Sequence, residues 1–416
     1  MAVPARLRAD ADKVSADMTG AGLGSRALFP ELETRVYANH ASLSPPSQAV
    51  IDAVSACLSQ YARDGMGCYA IEVERRERLR ARLAGLIGAP PRDLALVANT
   101  TAGVLAVALG IPWQRGDRIL VFDGEFPTNI TPWQQAARRE GLELVWMSAD
   151  DFRTDRAGAL QQLEDHLREG IRLVAVSAVQ FTTGQRMPLE TIGELCRRHD
   201  CELFVDAIQA MGVVPLDVEA CAIDYLTCGS HKWLMGPEGT GCFYAREEVA
   251  ARLEPNVAGW LSHEDPFAFL TRAPNELRYD RPLVQSARMV ESGTPHTLAA
   301  AGLEASVGLI DAIGVEPIYE HVQAWHDALE AGLVERGFAS ARMAEMEGRS
   351  GILSVRATDA AAGPAWSRAL AEYGIASASP DGWLRLSPHW PNHLDEAGAV
   401  LAAIDEILAK GGPPLP

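Results

Sequence analysis

The chain has 416 residues, 48% hydrophobic and 22% charged, a globular composition too apolar for a disordered polypeptide. Its 37 Lys and Arg against 55 Asp and Glu leave a net charge of −18, which argues against the basic footprint that a nucleic-acid backbone or an anionic membrane surface requires. The longest apolar stretch, 103–111, has nine residues including two glycines, whereas a membrane-spanning helix needs about 20.

Arg6, Arg8, Asp10 and Asp12 open the chain without an apolar run, so no secretory signal is expected. The seven cysteines follow no framework spacing and read as free thiols in a reducing cytoplasm. Cys196 and Cys201, with His199 between them, fit a helix end running into a strand better than a metal site, and no metal is expected.

From about residue 50 to 245 short apolar runs alternate with helical stretches. In 51–64, Ile51, Val54, Leu58 and Tyr61 fall on one helical face, and Leu79, Leu83 and Leu86 do so in the next helix. Strands are predicted over 94–98, 118–123, 142–147, 173–178, 202–206, 224–228 and 241–245. Most are continuously apolar, as a sheet covered on both faces requires. The alternation predicts an α/β domain with a mostly parallel sheet. Residues 256–282 are irregular, a helix is predicted over 296–312, and a smaller α+β region follows. A last helix near 395–410 carries Val400, Leu401, Ile404, Ile407 and Leu408 on one side, and the Gly/Pro tail 411–416 is expected to fray.

The chemistry concentrates in 203–245. One strand ends at Asp206, with Gln209 three residues on. A second is followed by Ser230, His231, Lys232 and Trp233, then by the glycine-rich turn 236–241. Carboxyl ends of strands in an open α/β sheet are where ligands bind. A lone strand-end Asp is ordinarily a cap, and a lone Lys is ordinarily solvated. Together they match one cofactor: pyridoxal phosphate needs a lysine amine for a Schiff base and a carboxylate to keep its ring nitrogen protonated.

With these motifs the chain resembles the fold-type I pyridoxal-phosphate enzymes, and more narrowly the class V aminotransferase family. That family includes cysteine desulfurases, kynureninases and isopenicillin-N epimerases. The resemblance implies a large domain with a mostly parallel mixed seven-stranded sheet. It divides the chain into an N-terminal segment (1–45) reaching the active site, a cofactor-binding domain (46–300) and a small C-terminal α+β domain (301–416). It makes Lys232 the Schiff-base lysine and catalytic base, Asp206 the partner of the ring nitrogen, and His231 a catalytic candidate. Thr100 and Thr101 would hold phosphate at a helix start, Phe126 would stack on the ring, and Gln209, Ser230 and His231 would complete the cofactor contacts. Trp260 and Thr294 are further phosphate candidates. Thr294 lies in a segment that reaches the neighbouring subunit's phosphate, which implies a homodimer. Arg385 would hold a substrate carboxylate, with Asn39, His40 and Gln180 as other substrate candidates. Desulfurases carry His where Phe126 stands and Asn where Phe181 stands.

The implied reaction acts at Cα of an amino acid through an external aldimine. Aminotransferase is the working description, with a C–S or other Cβ lyase and an epimerase as alternatives. A persulfide-forming desulfurase is disfavoured, because every cysteine lies at or before Cys242 and 373–383 has none. A non-catalytic scaffold is disfavoured by the intact Asp206 and Lys232.

Overall fold

The structure is a computed structural model that describes residues 20–272, 274–357 and 362–413. Arg6, Arg8, Asp10, Asp12 and the last three residues of the tail lie outside the described residues. The first strand is β1 (Val36–Tyr37). It is followed by β2 (Leu94–Val97), β3 (Arg118–Asp123), β4 (Glu143–Ser148), β5 (Leu173–Ser177), β6 (Glu202–Asp206), β7 (Tyr225–Gly229) and β8 (Gly241–Ala245). Beyond the long helices come β9 (Ala339–Ser340), β10 (Leu353–Arg356), β11 (Ile375–Ala376) and β12 (Leu384–Leu386).

β2 to β8 form one seven-stranded sheet in the order β2-β8-β7-β6-β5-β3-β4. β8 runs antiparallel to both neighbours and the other pairs are parallel. Every residue of β5, β6, β7 and β8 is buried, which is why these strands read as unbroken apolar runs. Two strands sit one residue later than expected, because the ladder sets their limits: Asp123 pairs with Ser148, and Gly229 with Gly241. The carboxyl ends of β2, β3, β5, β6 and β7 all emerge at one edge of the sheet.

The helix Gln48–Asp64 buries Val50, Ala53, Cys57 and Gln60 against the helix Thr297–Ile313. The expected stripe is only partly inward: Val54 and Tyr61 are half-buried, while Ile51 is 37% exposed and Leu58 57%. The small residues lie inward because the two helices approach closely; a Cβ at Gly302 would come within 3.0 Å of Val54. No single helix among the described residues is long and apolar enough to cross a membrane. The apolar pair Thr297–Ile313 and Val315–Glu335, bent by 78°, buries its large side chains in the protein's own core.

A second, antiparallel sheet has the order β12-β10-β9, and β1 pairs in parallel with β11. Val36 and Ala38 pack with Trp325, Leu353 and Leu386 in one apolar cluster. The N-terminal strand thus lies on the C-terminal part of the chain, and Asn39 bridges Ser387. This crossing carries residues 39–44 over the carboxyl edge of the large sheet.

Candidate active site

At that edge lies a cavity of about 560 Å3, a size suited to a cofactor with a small substrate. Lys232, Asp206, Thr100, Thr101, Phe126 and Arg385 all line it. Asp206 ends β6 with 2% of its surface exposed, and its Oδ1 accepts the Ile208 N–H at 3.0 Å. Burial pushes its pKa up to about 7; the neighbouring Glu125 adds to the rise, while the Ile208 N–H and Lys232 oppose it. Lys232 stands in the turn after β7. Desolvation brings its pKa down to about 8 against the pull of Asp206, and Arg385 lowers it further. Its Nζ lies 5.6 Å from the centre of the Phe126 ring, and among the described residues it makes no hydrogen bond. The pocket therefore holds an amine within reach of neutrality beside a carboxyl group, a pairing typical of catalytic sites.

Thr100 and Thr101 begin the helix Thr100–Gly110, which Asn99 caps by accepting the Ala102 N–H at 2.9 Å. Thr101 meets the hydroxyl of Thr128 at 3.1 Å. Thr100 Oγ1 is buried with no partner. Phe126 stands edge-on to Phe181, with ring centres 5.4 Å apart. Arg385, in β12, is 4% exposed. Its Nη1 donates to Phe181 O at 2.8 Å and its Nη2 to Ser42 Oγ at 2.7 Å, while Nε has no partner. Burial lowers its pKa to about 10, so it stays cationic.

A larger cavity of about 860 Å3 opens at the amino ends of the parallel strands. Three of its arginines pair with its own carboxylates: Arg172 with Glu202 at 3.0 Å, Arg252 with Glu202 at 2.7 Å, and Arg246 with Asp224 at 2.7 Å. No group of three or more His, Cys, Asp or Glu among the described residues could hold a metal ion.

The aminotransferase class-V family profile matches residues 36–382. The chain belongs to the class V aminotransferase family. It is 28% identical over 388 residues to the uncharacterized aminotransferase YcbU of Bacillus subtilis, spanning 92% of this chain and 97% of that one. It is 26% identical to a probable cysteine desulfurase of Pyrococcus abyssi, over 91% and 96% of the two chains. Among solved structures, the cystine C-S lyase C-DES, in complex with its reaction product cysteine persulfide, superposes with a TM-score of 0.81 at 25% identity. That match covers 90% of this chain and 98% of that one.

Class V aminotransferases are pyridoxal-phosphate enzymes, and the residues here fit that group. The unpartnered Thr100 hydroxyl and the start of its helix suit a phosphate. The unpaired Lys232 amine suits the aldehyde, and the Asp206 carboxyl suits the ring nitrogen. The Nε of Arg385 is buried without a partner. A Cβ at Gly229 would come within 3.1 Å of Thr100 Oγ1, so glycine leaves that approach open.

The other expected residues lie around the pocket rather than in it, with two exceptions. Gln209 and His231 do line it. Gln209 donates to Ala41 O at 3.1 Å and accepts the Trp233 indole N–H at 2.9 Å, so it ties the N-terminal segment to the lysine turn. Burial and the nearby Lys232 hold the pKa of half-buried His231 down. Ser230 turns inward and its hydroxyl donates to Pro237 O. Asn39 reaches the site only through Ser42, whose hydroxyl donates to Asn39 Oδ1 at 2.8 Å and accepts from Arg385. His40 is buried behind it, 2.7 Å from Ser44 Oγ and stacked on Trp233. The Gln180 amide is occupied by Glu125 at 3.1 Å. Trp260 packs edge-on to Phe267, 42% exposed, and Thr294 is exposed; neither lines this chain's pocket. Ser42, Ser44 and Glu125 were not singled out in the sequence, because serine and glutamate carry no signal until a distant strand is brought beside them. Ser44 nevertheless donates its hydroxyl to Lys232 O at 2.5 Å and its N–H to His231 O at 2.8 Å.

Proposed function

We propose that the protein is a homodimeric enzyme that works at Cα of an amino acid, with aminotransferase as the working description. The reading is carried by one observation: an unpaired amine (Lys232), a buried carboxyl (Asp206) and a guanidinium with a free Nε (Arg385) converge on one cavity. The group bound there supplies an aldehyde for amines and a protonated ring that draws electrons from Cα. Asp206 keeps a proton on the ring nitrogen, and Phe126 covers one ring face. Thr100 and Thr101 anchor the phosphate. Arg385 orients the carboxylate, held in place by Ser42, which Asn39 in turn orients. Lys232 takes and returns the Cα proton, since an amine with a pKa of about 8 is partly neutral at physiological pH.

The likeness to an aminotransferase over nearly the full length of both chains supports this description. A C–S or other Cβ lyase is the second reading, favoured by the likeness to a cystine C-S lyase; an epimerase is the third. A desulfurase that forms a persulfide is disfavoured. All seven cysteines are buried, the last is Cys242, and Ala378, Ser379 and Pro380 line the cavity where residues 373–383 carry no thiol. Burial raises the Cys228 and Cys242 thiols well above the ordinary range, so neither supplies a thiolate.

The homodimer reading rests on the likeness of residues 291–295 to a segment whose threonine reaches the neighbouring subunit's phosphate; the exposed Met66 (73%), Leu270 (60%) and Leu277 (60%) offer apolar surface to a second copy. We also place the limits of the small C-terminal domain near residue 300, with the helix Thr297–Ile313 as the connecting element, and the N-terminal segment before residue 46. The cytoplasm is the compartment that suits seven free thiols.

The test incubates purified holoenzyme with a panel of amino acids, with and without a keto-acid acceptor. Acceptor-dependent formation of a new amino acid supports transamination. Acceptor-independent release of pyruvate or sulfide supports the lyase. Loss of all turnover and of the lysine-bound cofactor absorbance in Lys232→Ala supports the lysine assignment; a variant that keeps that absorbance refutes it.

A further inference from the structure

Glu125 has no role in the preceding account, yet it is the most fully caged charge near the site. It follows β3 after Gly124, which turns the chain at φ 79°, and it is 8% exposed. Its carboxylate accepts the Ser177 N–H at 2.7 Å, the Ser177 hydroxyl, and the Gln180 amide at 3.1 Å. The Asn129 amide faces it too, with a buried Nδ2 that has no other partner. Among the described residues no arginine or lysine forms an ion pair with it.

The Ser177 N–H is available because β3–β5 pairing ends at Val121 and Ala175. Glu125 replaces the missing strand there. The Ser177 N–H can only donate, and the Asn129 Oδ1 is already taken by the Trp133 indole N–H at 3.1 Å, which leaves its Nδ2 to face the carboxyl; a cage fixed this way matches an ionised carboxylate, which only accepts. Ser177 is also the direct partner of Asp206 across β5 and β6. Glu125 is therefore held one strand from the carboxyl that would face the ring nitrogen.

We propose that Glu125 is an ionised positioning residue that, through Asp206, holds positive charge in the pocket and raises the proton affinity of the lysine-bound cofactor. In a water-poor interior a second negative charge at this range stabilises protonated neighbours. The groups that face Asp206 are Glu125 from the β3 side, Lys232 from the turn after β7 and Cys228 from β7; Arg385, from β12, faces Lys232. Burial pushes Glu125 itself toward protonation and its donors oppose this. The role rests on the reading of the pocket as a pyridoxal-phosphate site with Lys232 and Asp206 as assigned.

The test is a pH titration of the holoenzyme's visible absorbance. Glu125→Gln keeps the size and an acceptor for the Ser177 N–H but removes the charge. Its titration midpoint is expected to fall by about one unit relative to wild type. Gln180→Met, which removes one donor and leaves the sheet untouched, is expected to move the midpoint the same way by less. A Glu125→Gln protein that loses thermal stability with an unmoved midpoint makes Glu125 a sheet cap and overturns the proposal. If that variant does not fold, an unmoved midpoint in Gln180→Met overturns it. Absence of the lysine-bound absorbance in wild-type holoenzyme would instead refute the reading of the pocket.

Discussion

Asp206 shows how function and stability oppose each other within one side chain. Its folded pKa of about 7 lies above the ordinary 3.8, so the folded apoprotein binds a proton there that the unfolded chain has lost. The stability this contributes is full below about pH 4 and is lost as pH rises through about 7. Asp206→Asn, which cannot ionise, is expected to flatten that part of the apoprotein's melting temperature against pH. A slope equal to wild type would show that the group titrates elsewhere. The same change should cut turnover by about 3–4 kcal/mol of barrier, on the scale of other lost electrostatic partners. Arg385 is the second test at this scale. Arg385→Leu should raise KM for amino acids about ten- to a hundredfold, because a charge-assisted contact contributes about 1.5–3 kcal/mol. Arg385→Lys should not restore it, since an ammonium lacks the planar fork that reaches Phe181 O and Ser42 Oγ together. An amine without a carboxylate is the control; if it suffers equally, Arg385 is structural.

Among the elements, the helix Thr100–Gly110 decides whether the phosphate candidates are in place. It lies against β7 so closely that a Cβ on Gly103 would sit 2.1 Å from Thr227 Oγ1. Thr227 also donates its hydroxyl to Thr100 O at 3.3 Å. Gly103→Ala must therefore push the helix off the sheet. The expected cost is about 1–3 kcal/mol of stability, together with weaker cofactor retention on dialysis, because Thr100 and Thr101 move with the helix. Unchanged retention would separate the phosphate site from this helix. The helix Gln48–Asp64 teaches a different lesson. Its amphipathic stripe is visible in the sequence, but packing inside the chain selects Ala53 and Cys57, whose small size permits the close approach, and leaves Leu58 outside.

For the whole molecule, the exposed apolar side chains and the net charge of −18 pull in opposite directions: charge keeps copies apart, while buried apolar area drives pairing. A homodimer that covers Leu270 and Leu277 should sediment as a dimer. Leu270→Asp with Leu277→Asp should shift it toward monomer, and on the proposal that Thr294 serves a neighbouring pocket it should also reduce cofactor retention. A double variant that remains dimeric would place the interface on another face.

The sequence by itself determined the elements and the chemistry that is local along the chain. Apolar runs, most of them continuous, marked the seven strands of the large sheet, and strand-end position with short spacing marked Asp206, Gln209 and Lys232. Composition and periodicity act over a few residues, so such signals survive in one dimension. Only the tertiary structure decided the rest. Ser42 meets Arg385 across 343 positions, and Ser44 meets Lys232 across 188. Glu125 acquires its donors only when β5 ends beside it. Asn39, His40 and Gln180 were expected to contact substrate; the fold seats them beside Ser42, Ser44 and Glu125 respectively, and none of the three lines the cavity. A hydroxyl or a carboxylate has no fixed role until folding supplies its partners and removes water from around them.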